Sequence, residues 1–169
     1  MSNETYPKEL IADLIDGRLS WTDTKRIMSA FKDPARFDTY VSILQDRVEW
    51  DEQILLPIGE HLQIVQKGAD RVVKCDCGHE FGPYTQNWKL YASISVRNTK
   101  ESIQDLYPGP KACDPALQEI REIICPGCMI LLEVEAVPPG HPLNFDFLPD
   151  LDGFYEGILG RHLPGPTSA

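Results

Sequence analysis

Two cysteine pairs, Cys75-Asp76-Cys77-Gly78-His79 and Cys125-Pro126-Gly127-Cys128, constrain this chain most, because each is spaced to bring two sulfurs to one point. In an extended strand residues i and i+2 face the same way, so Cys75 and Cys77 aim together, and Gly78 then permits a tight turn. Pro126 and Gly127 form the turn that returns Cys128 to Cys125. Four converging thiolates are the donor set of tetrahedral zinc, and a closed shell with no open position makes such a site structural. The spacing leaves other readings open. His79 could replace Cys75 or Cys77 as a nitrogen ligand, an iron–sulfur cluster takes the same donors, and the pairs could form a disulfide, a redox couple or ordinary buried thiols.

The chain of 169 residues carries 26 acidic and 16 basic side chains, net −10. That balance repels phosphate backbones and anionic membranes, which argues against nucleic-acid binding, the commonest use of a zinc ribbon. Met1-Ser2-Asn3-Glu4 offers no basic stretch ahead of an apolar run, and the longest clearly apolar run, Met129-Ile130-Leu131-Leu132, is too short to span a bilayer. A cytoplasmic location is the expectation. A reducing cytosol favours metal over disulfide for the pairs and leaves Cys113 as a spare thiol.

The periodicity predicts an α+β protein in three parts: a helical segment over 1–53, a zinc-ribbon-like β domain over 54–137 and an extended, aromatic-rich tail over 138–169. In the first part, Thr5 is expected to cap a helix with Pro7 in its opening turn and Leu10, Ile11, Leu14 and Ile15 on one face. Ser20 and Asp23 have capping-box spacing ahead of Ile27, Met28 and Phe31. Asp33 as N-cap and Pro34 at the first helical position precede a stripe of Phe37, Tyr40, Val41, Leu44 and Val48, read as core rather than a binding face.

From Ile54 the pattern turns to strands: Ile54-Leu55-Leu56 ending at Pro57, His61–Gln66, and Arg71–Lys74 running into Cys75, the last two joined at Gly68-Ala69-Asp70. A further β-like run spans Ala92–Val96, with Trp88 and Tyr91 before it as partner contacts or as cover for a metal core. Tyr107-Pro108-Gly109-Pro110 marks residues 98–114 as a loop. The stretch 117–124 fits helix or strand, and the alternation of Ile120, Glu122 and Ile124 favours strand. Met129–Val137 is expected to put Leu132, Val134 and Ala136 on one side and Glu133 and Glu135 on the other.

Pro138-Pro139-Gly140-His141-Pro142 then forbids helix and central strand. The aromatic and aliphatic residues from Phe145 to Leu159 must rest on the helical segment or on another protein. Asp150 is expected to cap a helix around Phe154–Leu159. Glycine-rich phosphate loops, HExxH and GxSxG are all missing, and the histidines at 61, 79, 141 and 162 are scattered, so no catalytic constellation can be assembled.

The whole chain resembles the acetone carboxylase gamma (small) subunit family, and more distantly the acetophenone carboxylase small subunit. The resemblance is carried by Trp21-Thr22 through Arg36-Phe37, by Cys75 through Phe81, by Cys125-Pro126-Gly127-Cys128, and by Pro138-Pro139-Gly140-His141-Pro142 running into Phe145-Asp146-Phe147-Leu148-Pro149-Asp150. It implies a cytoplasmic complex of alpha, beta and gamma subunits, two of each, that makes acetoacetate from acetone and bicarbonate while ATP becomes AMP and phosphate. The resemblance assigns ATP, manganese and magnesium to the large subunits, and zinc to this chain through Cys75, Cys77, Cys125 and Cys128, with no catalytic residue here. The rival expectations are a free-standing zinc-ribbon regulator associated with nucleic acid and a thiol redox protein.

Overall fold

The structure, a computed structural model, describes residues 5–30 and 33–165. Three helices lead: α1 (Lys8–Ile15), α2 (Trp21–Ser29) and α3 (Arg36–Gln45). Ser20 caps α2 as its spacing predicts, its hydroxyl accepting from the Asp23 amide at 3.1 Å. The other two starts differ from expectation. Pro7, not Thr5, holds the N-cap of α1. The Asp33 carboxylate accepts from the Ala35 amide at 2.9 Å, which makes a turn ahead of the helix, so that Ala35 becomes the N-cap of α3. Tyr6, Ile11, Ile27 and Ile43 fill the space between the helices. Met28 is exposed, and Phe31 lies outside the described residues.

The β part comprises two antiparallel sheets. Strands β1 (Gln53–Pro57), β2 (Leu62–Lys67), β3 (Asp70–Cys75) and β4 (Glu80–Pro83) form one meander, and β5 (Ser93–Arg97), β6 (Glu119–Ile124) and β7 (Leu131–Val137) form the other. β2 and β3 pair from Lys67↔Asp70 to Leu62↔Cys75, closing at Gly68-Ala69. Within the stretch expected to be a loop, Thr99 and Ser102 cap each other and start α4 (Lys100–Gln104), which buries Ile103 completely. Serine stands there where a capping box ordinarily has Glu or Gln, which hides the signal.

β2 is covered on both faces. Leu62 and Ile64 join Leu55, Val73, Phe81, Trp88, Ile123, Leu151, Cys75 and Cys125 on one side. Val65 packs with Ile54, Val72 and Leu44 of α3 on the other. The first sheet therefore separates α3 from the second sheet.

β7 alternates as expected: Leu132 packs against the core, Val134 and Ala136 are exposed, and Glu133 and Glu135 are half-buried. The cause is Lys89, in the 3-10 turn Trp88–Tyr91, which is only 1% exposed. Its ammonium donates to Glu133 at 2.7 Å and Glu135 at 2.6 Å, and also to Asp146. A buried ammonium is tolerable only when paired, so the strand turns its acids inward.

After β7 the chain returns across the molecule. The Asn87 side-chain amide donates to the carbonyls of Leu143 and Asn144 at 3.3 and 3.1 Å, and the Arg121 guanidinium donates to the His141 carbonyl. Asp150 caps α5 (Leu151–Gly153), as expected, and the helix widens into a π-helical turn over Phe154–Ile158. Leu151 and Tyr155 are buried, the Tyr155 hydroxyl donates to the Leu55 carbonyl at 2.8 Å, and Phe154 meets Phe37 edge-on at 5.1 Å. Phe147, Leu148 and Ile158 stay 53%, 57% and 74% exposed. Among the described residues no helix is long and apolar enough to cross a membrane.

Candidate metal centre

The first cysteine pair runs from Cys75, the last residue of β3, into the loop before β4, and the second lies between β6 and β7. The two loops close in the same manner. The Cys75 amide donates to the His79 carbonyl and the Gly78 amide to the Cys75 carbonyl, both at 2.8 Å. The Cys125 amide donates to the Ile130 carbonyl and the Met129 amide to the Cys125 carbonyl, both at 2.9 Å. Each cysteine knuckle is thus anchored by the strand ladder on either side of it.

The loops meet so that the sulfurs of Cys75, Cys77, Cys125 and Cys128 all lie within 4.8 Å of one another, a grouping that could hold a metal ion. Cys75 and Cys128 are 3.9 Å apart, Cys77 and Cys125 3.7 Å. Sulfurs placed about 2.3 Å from a zinc ion at tetrahedral corners stand about 3.8 Å from each other, so the donor set fits. All four cysteines are free of disulfides. His79 does not join them; its ring packs edge-on against Phe81 at 4.9 Å. A Cβ on Gly127 would fall 2.9 Å from the His79 Cβ and 3.2 Å from the Cys77 sulfur, so glycine is what lets the second knuckle approach the first.

Residues that carried no sequence signal support the first knuckle. The Asp76 carboxylate accepts from Gln63 at 3.1 Å and pairs with His61 Nδ1 at 3.0 Å. Trp50 Nε1 donates to the Asp76 carbonyl at 3.0 Å. The loop between Cys75 and Cys77 is therefore held from β2 and from the connection after α3. The four thiols differ in environment. Burial pushes the Cys75 thiol far above its ordinary range and the Cys77 thiol up as well. Cys128 is held down, first by the Ile130 backbone amide.

One further cluster escaped the sequence. The carboxylates of Glu133, Glu135 and Asp146 also lie within 4.8 Å of one another, but the Lys89 ammonium already bonds to all three. Lys89 reads in the sequence as an ordinary polar residue between Trp88 and Leu90; its burial depends on strands far away in the chain. Cys113 lies half-buried in the long connection after α4, its thiol 4.0 Å from the Gln118 carbonyl, and takes no part in the cluster. His141 pairs with Asn144 and the exposed His162 with Glu156.

Comparison with known proteins gives a consistent result. Residues 48–159 match the family model described as acetone carboxylase gamma subunit. The chain is 44% identical over 166 residues to the acetone carboxylase gamma subunit of Xanthobacter autotrophicus, covering 97% of this chain and 99% of that protein. It is 30% identical over 79 residues to the acetophenone carboxylase beta subunit of Aromatoleum aromaticum, covering 46% of this chain and 61% of that one.

Proposed function

The chain belongs to the acetone carboxylase gamma subunit family, and from that premise we propose that it is the zinc-binding small subunit of an ATP-dependent acetone carboxylase. In this role it joins alpha and beta subunits, two of each in the complex, in the cytoplasm. Acetone, bicarbonate and ATP become acetoacetate, AMP and phosphate on the large subunits, which carry the nucleotide, manganese and magnesium. Cys75, Cys77, Cys125 and Cys128 hold the zinc. What zinc supplies here is a rigid cross-link, since four thiolate donors leave no coordination position for a substrate.

The observation that carries the reading is the convergence of sulfurs from both sheets on one point in a chain of this family. The helical segment 1–53, the ribbon-like part 54–137 and the tail 138–169 then divide the work between holding the metal and holding neighbours. Exposed Phe147, Leu148 and Ile158 are suited to burial against a large subunit, as is the open groove of about 460 Å³ lined by Phe37, Tyr40, Phe154 and Leu159.

Deleting the tail would be a poor test, because Leu151 and Tyr155 belong to the core. Phe147→Asp with Leu148→Asp changes only exposed side chains. Co-expressed with the large subunits, this variant should keep its zinc but fail to co-purify. Assembly at wild-type yield overturns the tethering role, and metal analysis showing no zinc overturns the metal assignment.

A further inference from the structure

The four sulfurs are unequally placed: Cys75 and Cys125 are buried, whereas Cys77 and Cys128 are exposed. The backbone explains the split. Cys75 ends β3 and Cys125 follows β6, so both point into the apolar cluster around Phe81 and Ile123. Cys77 and Cys128 come later, at the tips of the two loops, where Pro126, Gly127 and Met129 are exposed as well. Oxidation of cysteine follows thiolate character and access. A bound zinc keeps all four sulfurs as thiolates, so access decides which of them react.

We propose that Cys77 and Cys128 form a peroxide-sensitive edge of the metal centre, at which hydrogen peroxide converts the two thiolates to a disulfide and releases the zinc. This rests on the zinc assignment made above. One thiolate attacks a peroxide oxygen; the O–O bond breaks, giving a sulfenic acid and a hydroxide ion. The second thiolate then attacks the sulfenic sulfur, forms the S–S bond and expels a second hydroxide. Peroxide takes up two electrons and the sulfur pair loses two. Zinc, left with Cys75 and Cys125, departs as the hydrated ion.

A specific consequence follows from which loops the two sulfurs belong to. Cys77 lies in the first knuckle and Cys128 in the second, so the disulfide ties together the same loops the metal tied. Oxidation removes the ion and keeps the cross-link, while chelation removes both.

The test uses the zinc-loaded full chain and its Cys113→Ser variant, treated with hydrogen peroxide. Zinc release is followed with a chromophoric chelator, linkages are mapped by mass spectrometry without reduction, and thermal midpoints are compared with chelator-stripped, reduced protein. The expected result is zinc release together with a Cys77–Cys128 linkage in both proteins, reversed by thiol reductant and added zinc. The oxidised chain should melt well above the stripped one. Zinc retained under peroxide, or released with a Cys75–Cys125 or intermolecular linkage, overturns the proposal. Protein that carries no zinc before peroxide is added overturns the zinc assignment and this proposal with it, so the two failures are told apart by the first measurement.

Discussion

Gly78 and Met129 stand at the same backbone position, directly after the second cysteine of their respective knuckles, with φ of 94° and 63°. Met129 is the one non-glycine residue among those described with positive φ, and its side chain is 68% exposed, so packing does not repay the strain. A left-handed conformation costs an L-residue about 1–2 kcal/mol, while glycine loses about 0.5–1 kcal/mol more on folding. Met129→Gly should therefore stabilise the metal-loaded protein by up to about 1 kcal/mol, and Gly78→Ala should destabilise it by about 1–2 kcal/mol. Denaturant unfolding of the zinc form measures both.

If Cys75, Cys77, Cys125 and Cys128 hold zinc as proposed, its removal should loosen the junction of the two sheets. Structural zinc contributes on the order of 10 kcal/mol at thiolate sites, so Cys75→Ala or a strong chelator should lower the thermal midpoint steeply. Because burial raises the Cys75 and Cys77 thiols, zinc uptake must expel protons. Affinity should accordingly rise with pH, and calorimetry in buffers of different ionisation enthalpy counts the protons released.

Lys89 should be among the most sensitive positions away from the cysteines. Burial disfavours its charge, yet the hydrogen bonds it donates to Asp146, Glu133 and Glu135 outweigh that and raise its pKa. Lys89→Met leaves Glu133 and Asp146 without their cation and Glu135 with only Arg121, at 3.7 Å, and should cost about 3–5 kcal/mol. Adding Glu133→Gln and Glu135→Gln should restore part of the loss. A single substitution with no effect on chemical unfolding would show that the cluster is not a structural anchor.

Glu52 supplies a separate pH test through its bond to Lys74. Its pKa lies below the ordinary 4.5, chiefly because it accepts a hydrogen bond from Lys74, at 2.7 Å. A carboxylate with a depressed folded pKa adds stability above its unfolded pKa and loses it as pH falls through the folded value. The stability gap between wild type and Glu52→Gln should thus be full at pH 7 and close progressively as the pH drops below about 4.5. Thermal melts of both proteins across that range check the sign.

The knuckles, the hairpin at Gly68-Ala69 and the cap at Ser20 were legible in the sequence because each is fixed by residues a few positions apart. Six of the seven strands also follow from alternation and turn chemistry, whereas β4 and the division into two sheets do not. What could not be read depends on distant partners. Glu133 and Glu135 look like the solvent side of β7 until Lys89 is found beneath them. Asp76 is only a spacer between cysteines until His61, Gln63 and Trp50 close on it. Asp33-Pro34 carries a helix-start signal that the chain spends on a turn, and α4 is hidden by an atypical capping pair. The tail could be read as resting on its own chain or on another protein; Leu151 and Tyr155 prove to be buried in this chain, while Phe147 and Leu148 stay exposed.

The hydroxyl of Tyr155 finds its acceptor on Leu55, one hundred positions upstream. While a ribosome is still making the C-terminal part, that carbonyl faces water and the first sheet lacks its lid. The nascent chain also holds two thiols whose counterparts have not yet emerged. The first sheet is therefore closed only after residues a hundred positions downstream have been made.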